Sequence, residues 1–393
     1  MFRRGLPLLF CFVICGLLSQ LISQNAYSAE PPQSPEIQKI LKPYIDRGEL
    51  AGAILIVADK EQVLSQTIVG YADIENQKPM TQDSFFWIAS MTKPFTAVAV
   101  MMLVEEGKIN LDDPVEKYIP ALAKWKVLVS GSENIQILET PNQKPTVRHL
   151  LSHTSGLAFI PEIEEMSGID VLPLDRSSLA SVTGPLLYQP GKEYRYSNKG
   201  IDIAGRIIEI ASGMPYQDFM QQRIFDPLAM HDTTFWPDEQ QLARLAKSYD
   251  LDQKPISEVR VSFMNYPLSD RTKRYPCPGG GLFTSGNDLV HFGQMLINNG
   301  TFQGKQLLSP ASIAEIRKDQ TGELKLHYGL CVGTFDVFFG HGGAHGTQIL
   351  VSPERNRVVI YLVQAVNGKV GAIWDEVHKK AFEIKSSGYQ DPF

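Results

Sequence analysis

Residues that bind metals or form disulfides are scarce in this sequence. Only four cysteines and eight histidines occur among its 393 residues. There is no Cys-x-x-Cys pair and no His-Glu-x-x-His motif. His341 and His345 have the i,i+4 spacing of a helical metal site, but the glycines around them disfavour a helix. We therefore expect neither a metal nor a cofactor.

The sequence also lacks an excess of positive charge. Its formal net charge is −6 and its isoelectric point is about 5.8. We therefore expect no basic surface that would hold nucleic acid or an anionic membrane. With 43% hydrophobic and 20% charged residues, the composition is that of a globular protein. The expected partner is a small molecule or a peptide.

The hydrophobic run near the N-terminus is too short to span a membrane. Two arginines precede the run Leu6–Leu18, and small residues follow at Ala26 and Ser28. Polar residues interrupt the run before the roughly 20 apolar residues that a membrane helix needs. The pattern favours a cleaved signal peptide over residues 1–28 rather than an uncleaved anchor. The rest of the chain, 29–393, is then predicted to be periplasmic or secreted and free of the membrane.

The remaining cysteines leave two alternatives open. Cys11 and Cys15 belong to the predicted signal peptide, so Cys277 and Cys331 remain. An oxidising compartment permits one disulfide between them, but the sequence does not bring their Cα atoms within reach. Two buried free thiols are the favoured alternative.

Strand patterns lie near both ends of the chain, and helical patterns lie between them. Strands are predicted at Ala53–Val57, Val63–Val69, Phe335–Gly340, Thr347–Ser352 and Arg357–Gln364. Helices are predicted at Pro35–Gly48, 91–106, Thr146–Leu151, Gly200–Ser212, Asp288–Asn298 and Ala372–Ile384. The polar, broken stretch Val127–Pro145 indicates an excursion on the surface.

This order predicts an α/β (α+β) fold around a mostly antiparallel central sheet. The sheet would be built from about residues 35–85 and 320–393, with helices on its flanks. A mainly helical region, about 90–315, would be inserted between the two parts. We expect the active site where the sheet meets this region, because clefts form at such junctions.

A candidate nucleophile lies at the start of the strongly apolar helix 91–106. Ser90 and Lys93 are three residues apart and share a helical face. The helix N-terminus favours negative charge on the serine oxygen. Ser-x-x-Lys arises about once or twice by chance in such a chain, so a helix cap with a solvated lysine is the simpler interpretation. The apolar flanks, 85–88 and 95–98, favour instead a desolvated lysine that serves as a base.

Tyr196 and Asn198 open the isoleucine-rich helix. Tyr196 would carry protons if a cation such as Lys93 stabilised its phenolate. Asn198 would orient the substrate. A packed ring and a helix cap are the simpler interpretation of this pair.

A glycine-rich segment follows the predicted strand 335–340. It holds His341, Gly342 and Gly343, and glycines at such a place let the backbone approach a ligand closely. The simpler interpretation is a glycine turn that contains a histidine.

Taken together and in this order, the motifs resemble the serine β-lactamase/D,D-peptidase superfamily. The similar branch holds class C β-lactamases, D,D-carboxypeptidases, D-aminopeptidases and family VIII esterases. The resemblance extends from about Ile37 to about Gln364. It rests on Ile88–Pro94, Tyr196–Asn198, His341–Gly343, Gly70–Asp73, His153–Leu157 and Gly280–Ser285. The α/β-hydrolase alternative has no support, because Gly-x-Ser-x-Gly does not occur in the chain.

The resemblance implies a role for each matched residue. Ser90 would be the acylated nucleophile, and Lys93 and Tyr196 would share the proton transfers. The backbone N–H groups of Ser90 and Ala344 would form the oxyanion hole, where one lost donor typically lowers the rate a hundred- to a thousandfold. Substrate binding would fall to Asn198, His341, Gly342 and Gly343.

His341 stands where classical β-lactamases carry lysine. A histidine of reference pKa about 6.5 is mostly neutral at pH 7 and holds a carboxylate weakly. The sequence therefore predicts a hydrolase for a small ester or a peptide-like amide, with weak or absent β-lactam turnover. The alternatives are a D,D-carboxypeptidase or D-aminopeptidase, then a β-lactamase. A catalytically silent homologue that binds peptides or cell-wall fragments has no chemical need for Ser90, Lys93 and Tyr196 together.

Overall fold

The computed structural model of this chain describes residues 31–132, 135–160, 168–261 and 263–384. The chain divides into two units after Pro32, and the second, Gln33–Phe393, contains nearly all the described residues. The predicted signal peptide, residues 1–28, lies outside the described residues and stays a prediction. Within the described ranges, no helix is both long and apolar enough to cross a bilayer.

The strands of the second unit run as follows in chain order. They are β1 (Gly52–Ala58), β2 (Val63–Asp73), β3 (Lys78–Pro79), β4 (Phe85–Trp87), β5 (Val127–Ser132), β6 (Ile135–Glu139), β7 (Ser248–Asp250), β8 (Ser257–Val259), β9 (Phe283–Ser285), β10 (Thr301–Phe302), β11 (Lys305–Gln306), β12 (Gly333–Thr334), β13 (Phe339–Gly342), β14 (Gln348–Ser352), β15 (Arg357–Leu362) and β16 (Ala365–Val366).

Seven of these strands form the central antiparallel sheet, in the order β12-β13-β14-β15-β1-β2-β3. In its middle, β1 pairs with β15 so that Ile54 lies opposite Leu362. Both ends of the chain therefore build one sheet, as the sequence predicts. The short pair β4 and β9 lies apart from this sheet and joins residues 85–87 to residues 283–285.

Ten α-helices in the described ranges surround the sheet or form the inserted region. They are α1 (Pro35–Asp46), α2 (Lys93–Glu105), α3 (Val147–Leu151), α4 (Leu174–Ala180), α5 (Asn198–Ser212), α6 (Tyr216–Met220), α7 (Glu239–Arg244), α8 (Gly286–Ile297), α9 (Pro310–Arg317) and α10 (Val370–Ala381). The predicted helix over 91–106 is found as a 3₁₀ turn, Ala89–Thr92, followed by α2.

The central strand β1 separates two hydrophobic cores. Its side chains alternate between the two faces of the sheet. Ile54 and Ile56 pack into the larger core, which also contains the residues of α2. Leu55 and Val57 pack into the smaller core beneath α1 and α10. Burial on both faces explains why this strand reads as an unbroken apolar run.

The predicted strand over Phe335–Gly340 is wrong in its position. Phe335 donates its backbone N–H to the carbonyl of Phe338 at 2.8 Å, which closes a turn between β12 and β13. The rings of Phe335 and Phe338 contact each other with centroids 4.7 Å apart. Because of this turn, strand β13 begins at Phe339 and includes His341 and Gly342 rather than ending before them.

Three smaller features either correct a prediction made from the sequence or decide between its alternatives. The stretch 127–145 lies on the surface, but it contains the hairpin β5–β6. Helix α5 starts at Asn198, and its cap is Ser197, whose side chain accepts the N–H of Gly200 at 3.1 Å. Cys277 and Cys331 are both buried and free.

Candidate active site

The candidate nucleophile is held in a strained turn between β4 and α2. Ala89 has φ +46°, a left-handed conformation that costs a residue with a Cβ about 1 to 3 kcal/mol. The Thr92 hydroxyl donates to the carbonyl of Ala89 at 2.7 Å and accepts the N–H of Leu282 at 3.1 Å. This clamp to the loop before β9 maintains the strain and presents the Ser90 side chain, which is half-buried, to the cleft.

The Lys93 amine lies beside this serine and is fully buried. Its Nζ is 3.0 Å from Ser90 Oγ, 2.7 Å from Asn198 Oδ1 and 2.5 Å from the carbonyl oxygen of Gly279. The amide and carbonyl oxygens can only accept hydrogen bonds, so they fix two N–H groups of the amine. In the neutral amine, the one remaining position is a lone pair that faces the Ser90 hydroxyl.

Burial sets the charge of this amine. Desolvation lowers the pKa of Lys93 from 10.5 to about 8, against weaker opposing effects of Cys277, Cys331 and Asp202. The neutral form of Lys93 is therefore accessible near neutral pH. The burial of Lys93 agrees with the predicted desolvation, and its role as a base stays a prediction.

Tyr196 covers the same amine with its ring. Nζ of Lys93 lies 4.6 Å from the ring centroid, over the face of the ring. Burial raises the pKa of Tyr196 well above 10, while the Ser90 hydroxyl acts in the opposite direction as a hydrogen-bond partner. The phenol therefore keeps its proton at neutral pH, so it is suited to donating protons rather than to acting as a phenolate base.

A chain of four hydrogen bonds runs behind the site and fixes two histidine tautomers. The N–H of Ser197 lies 3.2 Å from His153 Nδ1, so His153 carries its proton on Nε2 and donates to Tyr328 Oη at 3.2 Å. The Tyr328 hydroxyl in turn donates to His341 Nε2 at 3.1 Å. The chain ends where His341 Nδ1–H donates to the carbonyl of Gly342 at 2.6 Å.

Both histidines in this chain are neutral. Desolvation, followed by the charge of Lys93, lowers the pKa of His341 to about 3. The same two causes hold the pKa of His153 well below its usual value. His341 therefore offers a substrate no positive charge. Its Nε2 lone pair is engaged by Tyr328, and Tyr196 Oη lies farther away at 3.5 Å.

The predicted oxyanion-hole turn lies next to the nucleophile because of one close backbone approach. A Cβ on Gly343 would lie 2.4 Å from the carbonyl oxygen of Ile88 and 2.2 Å from Thr347 Oγ1, so only glycine fits. Ala344 follows directly in an exposed turn. The structure thus brings the turn to the strand end that precedes Ser90, and the role of the Ala344 N–H remains a prediction.

The histidines at 341 and 345 do not converge on one point. His345 Nδ1 lies 2.7 Å from Ser248 Oγ, and its ring contacts Trp87 edge to face at 4.8 Å. His341 faces the two tyrosines. The part of the chain that the structure describes contains no group of three side chains that could hold a metal ion.

Two contributors to the site have no motif in the sequence analysis. Tyr328 lies in the loop before β12, and nothing in its neighbourhood distinguishes it from a core aromatic residue. Gly279 contributes only a carbonyl, one residue before the recognised Gly280–Ser285 segment. A Cβ at Gly279 would lie 3.2 Å from Asn198 Oδ1, so this position favours glycine. The glycine is visible in the sequence, but the recognised motif begins one residue after it. His153 belongs to the segment His153–Leu157, for which the sequence predicts no specific role.

The fold and this site define a serine hydrolase of the type that places a lysine three residues after its nucleophile. The family model named Beta-lactamase matches residues 37–381, and the chain belongs to this family. The resemblance stated from the sequence is thereby confirmed.

Relatives with named activities include esterases and penicillin-binding proteins. The chain is 30% identical over 297 residues to esterase EstB of Burkholderia gladioli, covering 70% of this chain and 71% of that one. It is 30% identical over 268 residues to penicillin-binding protein 4 of Amycolatopsis lactamdurans, covering 68% and 63% of the two chains. The structure of EstCE1, described as a hydrolase with promiscuous acyltransferase activity, superposes with TM-score 0.72 at 23% identity, covering 87% and 97%.

The pKa of Lys93 predicts a rise of activity with pH. The lysine accepts the serine proton only when neutral, so kcat/KM for para-nitrophenyl acetate should fall about tenfold per pH unit below an apparent pKa near 8 and level off above it. Lys93→Arg, which stays protonated, should be inactive across the range. A flat wild-type profile between about pH 6 and 9 would contradict the role of Lys93 as base.

Removal of the Tyr328 hydroxyl should weaken the fold through the histidine chain. Tyr328→Phe leaves the buried His153 Nε2–H without its partner and leaves His341 Nε2 with only Tyr196 Oη at 3.5 Å, so the free energy of unfolding should fall by about 1–3 kcal/mol. Urea denaturation measures this loss. Tyr194→Phe is the matched control, because its ring lies 5.5 Å from that of Tyr328 but its hydroxyl is not part of the chain. Equal losses of unfolding free energy in both variants would refute the role of the Tyr328 hydroxyl in this chain of hydrogen bonds.

Proposed function

We propose that the protein is an exported serine hydrolase that cleaves esters, or peptide-like amides, through an acyl-enzyme on Ser90. The observation that carries the proposal is the arrangement of acceptors around Lys93 Nζ. Two of its neighbours, Asn198 Oδ1 and the Gly279 carbonyl, accept only. The third, Ser90 Oγ, is the one neighbour that has a proton to give.

In the acylation step, neutral Lys93 accepts the proton of Ser90 while the serine oxygen attacks the substrate carbonyl carbon. The developing oxyanion lies toward the N–H groups of Ser90 and Ala344. When the tetrahedral intermediate collapses, the bond to the leaving oxygen or nitrogen breaks. Tyr196 delivers its proton to the leaving atom and recovers one from Lys93, so the amine returns to its neutral form.

Deacylation repeats the same proton path with water in place of the leaving group. Water loses a proton to the Tyr196–Lys93 pair and attacks the acyl carbon. The bond from carbon to the Ser90 oxygen then breaks, and the proton returns to Ser90. The carboxylic acid leaves, and both residues end in their starting protonation states.

The charge of the site favours neutral esters over carboxylate-bearing peptides and β-lactams. A D,D-peptidase or β-lactamase substrate carries a carboxylate, and binding it calls for a positive side chain near the leaving group. His341 at that place is neutral, with its Nε2 already accepting from Tyr328. The esterase name of one relative, EstB, agrees with this preference. Export is supported by the sequence pattern of residues 1–28 alone.

Covalent labelling tests the nucleophile and the substrate class together. A fluorophosphonate should label wild type at one serine, identified by mass spectrometry as Ser90, and Ser90→Ala should not be labelled. Ser257→Ala, an exposed serine on β8, is the matched control and should label fully. A fluorescent penicillin should label wild type much more slowly. Labelling that survives Ser90→Ala would remove Ser90 from the mechanism, and rapid penicillin labelling would favour the D,D-peptidase alternative.

A further inference from the structure

A large cavity opens beside Tyr196, which forms part of its lining. Its volume is about 470 Å³, a size that suits a ring system rather than a small alkyl group. Its lining includes Tyr196 and His341 of the candidate active site as well as Trp374 and His378 of α10. The cavity therefore adjoins the candidate active site on the side of Tyr196 and His341.

Three glycines of strands β12 and β13 belong to the cavity lining. Gly333 of β12 and Gly340 of β13 lie opposite each other in the sheet, so two paired positions lack side chains. Gly342 lies two residues farther along β13, and a Cβ there would come within 2.7 Å of the Gln348 side chain. All three glycines line the cavity. The backbone of these two strands thus forms part of the wall, and side chains form the rest.

Those side-chain walls are apolar, aromatic and open to solvent. Leu326 and Phe335 are 50% and 57% exposed although both are large and hydrophobic. Phe335 packs against Phe338, and Trp374 is stacked between Tyr361 and His378 at ring-centroid distances of 5.5 and 5.1 Å. Clustered exposed apolar groups rimmed by polar ones are typical of binding sites. The stacking holds these walls in place before a ligand arrives.

We propose that this cavity binds the alcohol portion of the substrate, and that this portion is bulky, uncharged and apolar, either aromatic or alicyclic. The inference rests on the proposed function, because it takes Tyr196 as the proton donor to the leaving oxygen. A donor must touch the atom it protonates, so the leaving group lies against Tyr196, at the mouth of the cavity. The carboxylate of Asp375 and the neutral His341 in the lining disfavour an anionic occupant.

The test distinguishes a preference for the alcohol portion of the ester from a preference for its acyl portion. We would measure kcat/KM for ethyl, benzyl and naphthylmethyl acetates, whose leaving alcohols have similar pKa values, and for ethyl acetate against ethyl phenylacetate. Filling the cavity with a ring should raise kcat/KM at least about tenfold from ethyl to naphthylmethyl acetate. The acyl series should show no comparable gain.

Two wall variants and a control connect this preference to the cavity. Phe335→Ala and Trp374→Ala should each lower the ratio of naphthylmethyl to ethyl acetate kcat/KM several-fold. Ile210→Ala removes an exposed apolar side chain, 41% accessible, near the far end of α5 and should keep the wild-type ratio.

The outcomes distinguish this inference from the proposed function. Three results overturn the cavity assignment but leave the proposed esterase activity standing. They are similar kcat/KM values for all acetates, a rise in kcat/KM that follows the acyl group, and a naphthylmethyl-to-ethyl ratio that is unchanged in both wall variants. Failure to hydrolyse any ester, with Ser90 unreactive to fluorophosphonate, overturns the proposed function and the assignment with it.

Discussion

The burial of a single amine, that of Lys93, organises the centre of this molecule. Taking an ammonium out of water costs several kcal/mol, so it persists only where hydrogen bonds replace its hydration. Three chain segments supply them: the turn that holds Ser90, the start of α5 at Asn198, and the loop at Gly279. The inserted helices and the loop before β9 are therefore linked through one nitrogen atom, and the proposed mechanism uses that same atom as its base.

The chemical type of the hydrogen-bond acceptors around this amine decides its pKa. Its hydrogen-bond acceptors are neutral oxygens rather than carboxylates, so desolvation dominates and the pKa falls. Lys247 shows the opposite case on the surface, where Asp73 and Glu258 lie within 3.3 and 2.7 Å and raise its pKa. A carboxylate at the position of Asn198 would give Lys93 a fixed charge and end its use as a base. His341 is neutral for a related reason, since burial first and the charge of Lys93 second lower its pKa.

The sequence predicts the sheet, the buried helix and the nucleophile because each has a local signature. The alternation of Ile54 to Val57 between two cores needs only the period of a strand, and Ser90 with Lys93 needs only one helical turn. Tyr328 and the Gly279 carbonyl act through contacts with His153 and Lys93, which are 175 and 186 positions away, and no local pattern encodes such contacts. The predicted strand at 335–340 is wrong in its position because aromatic residues favour strands, while the turn hydrogen bond at Phe335 depends on tertiary context.

The pairing of β1 with β15 has a consequence for how the chain folds. Ile54 and Leu362 lie about 300 residues apart, so the ribosome makes the first central strand long before its neighbour exists. Until then β1 and β2 form a hairpin with one open edge, and β1 is apolar on both faces. The inserted helices emerge in the meantime, and α8 among them packs mainly against β14 and β15, which are made later still. The nascent chain therefore carries an exposed, aggregation-prone edge through most of its synthesis, and shielding by a chaperone is most valuable to this protein until residues 357–362 arrive.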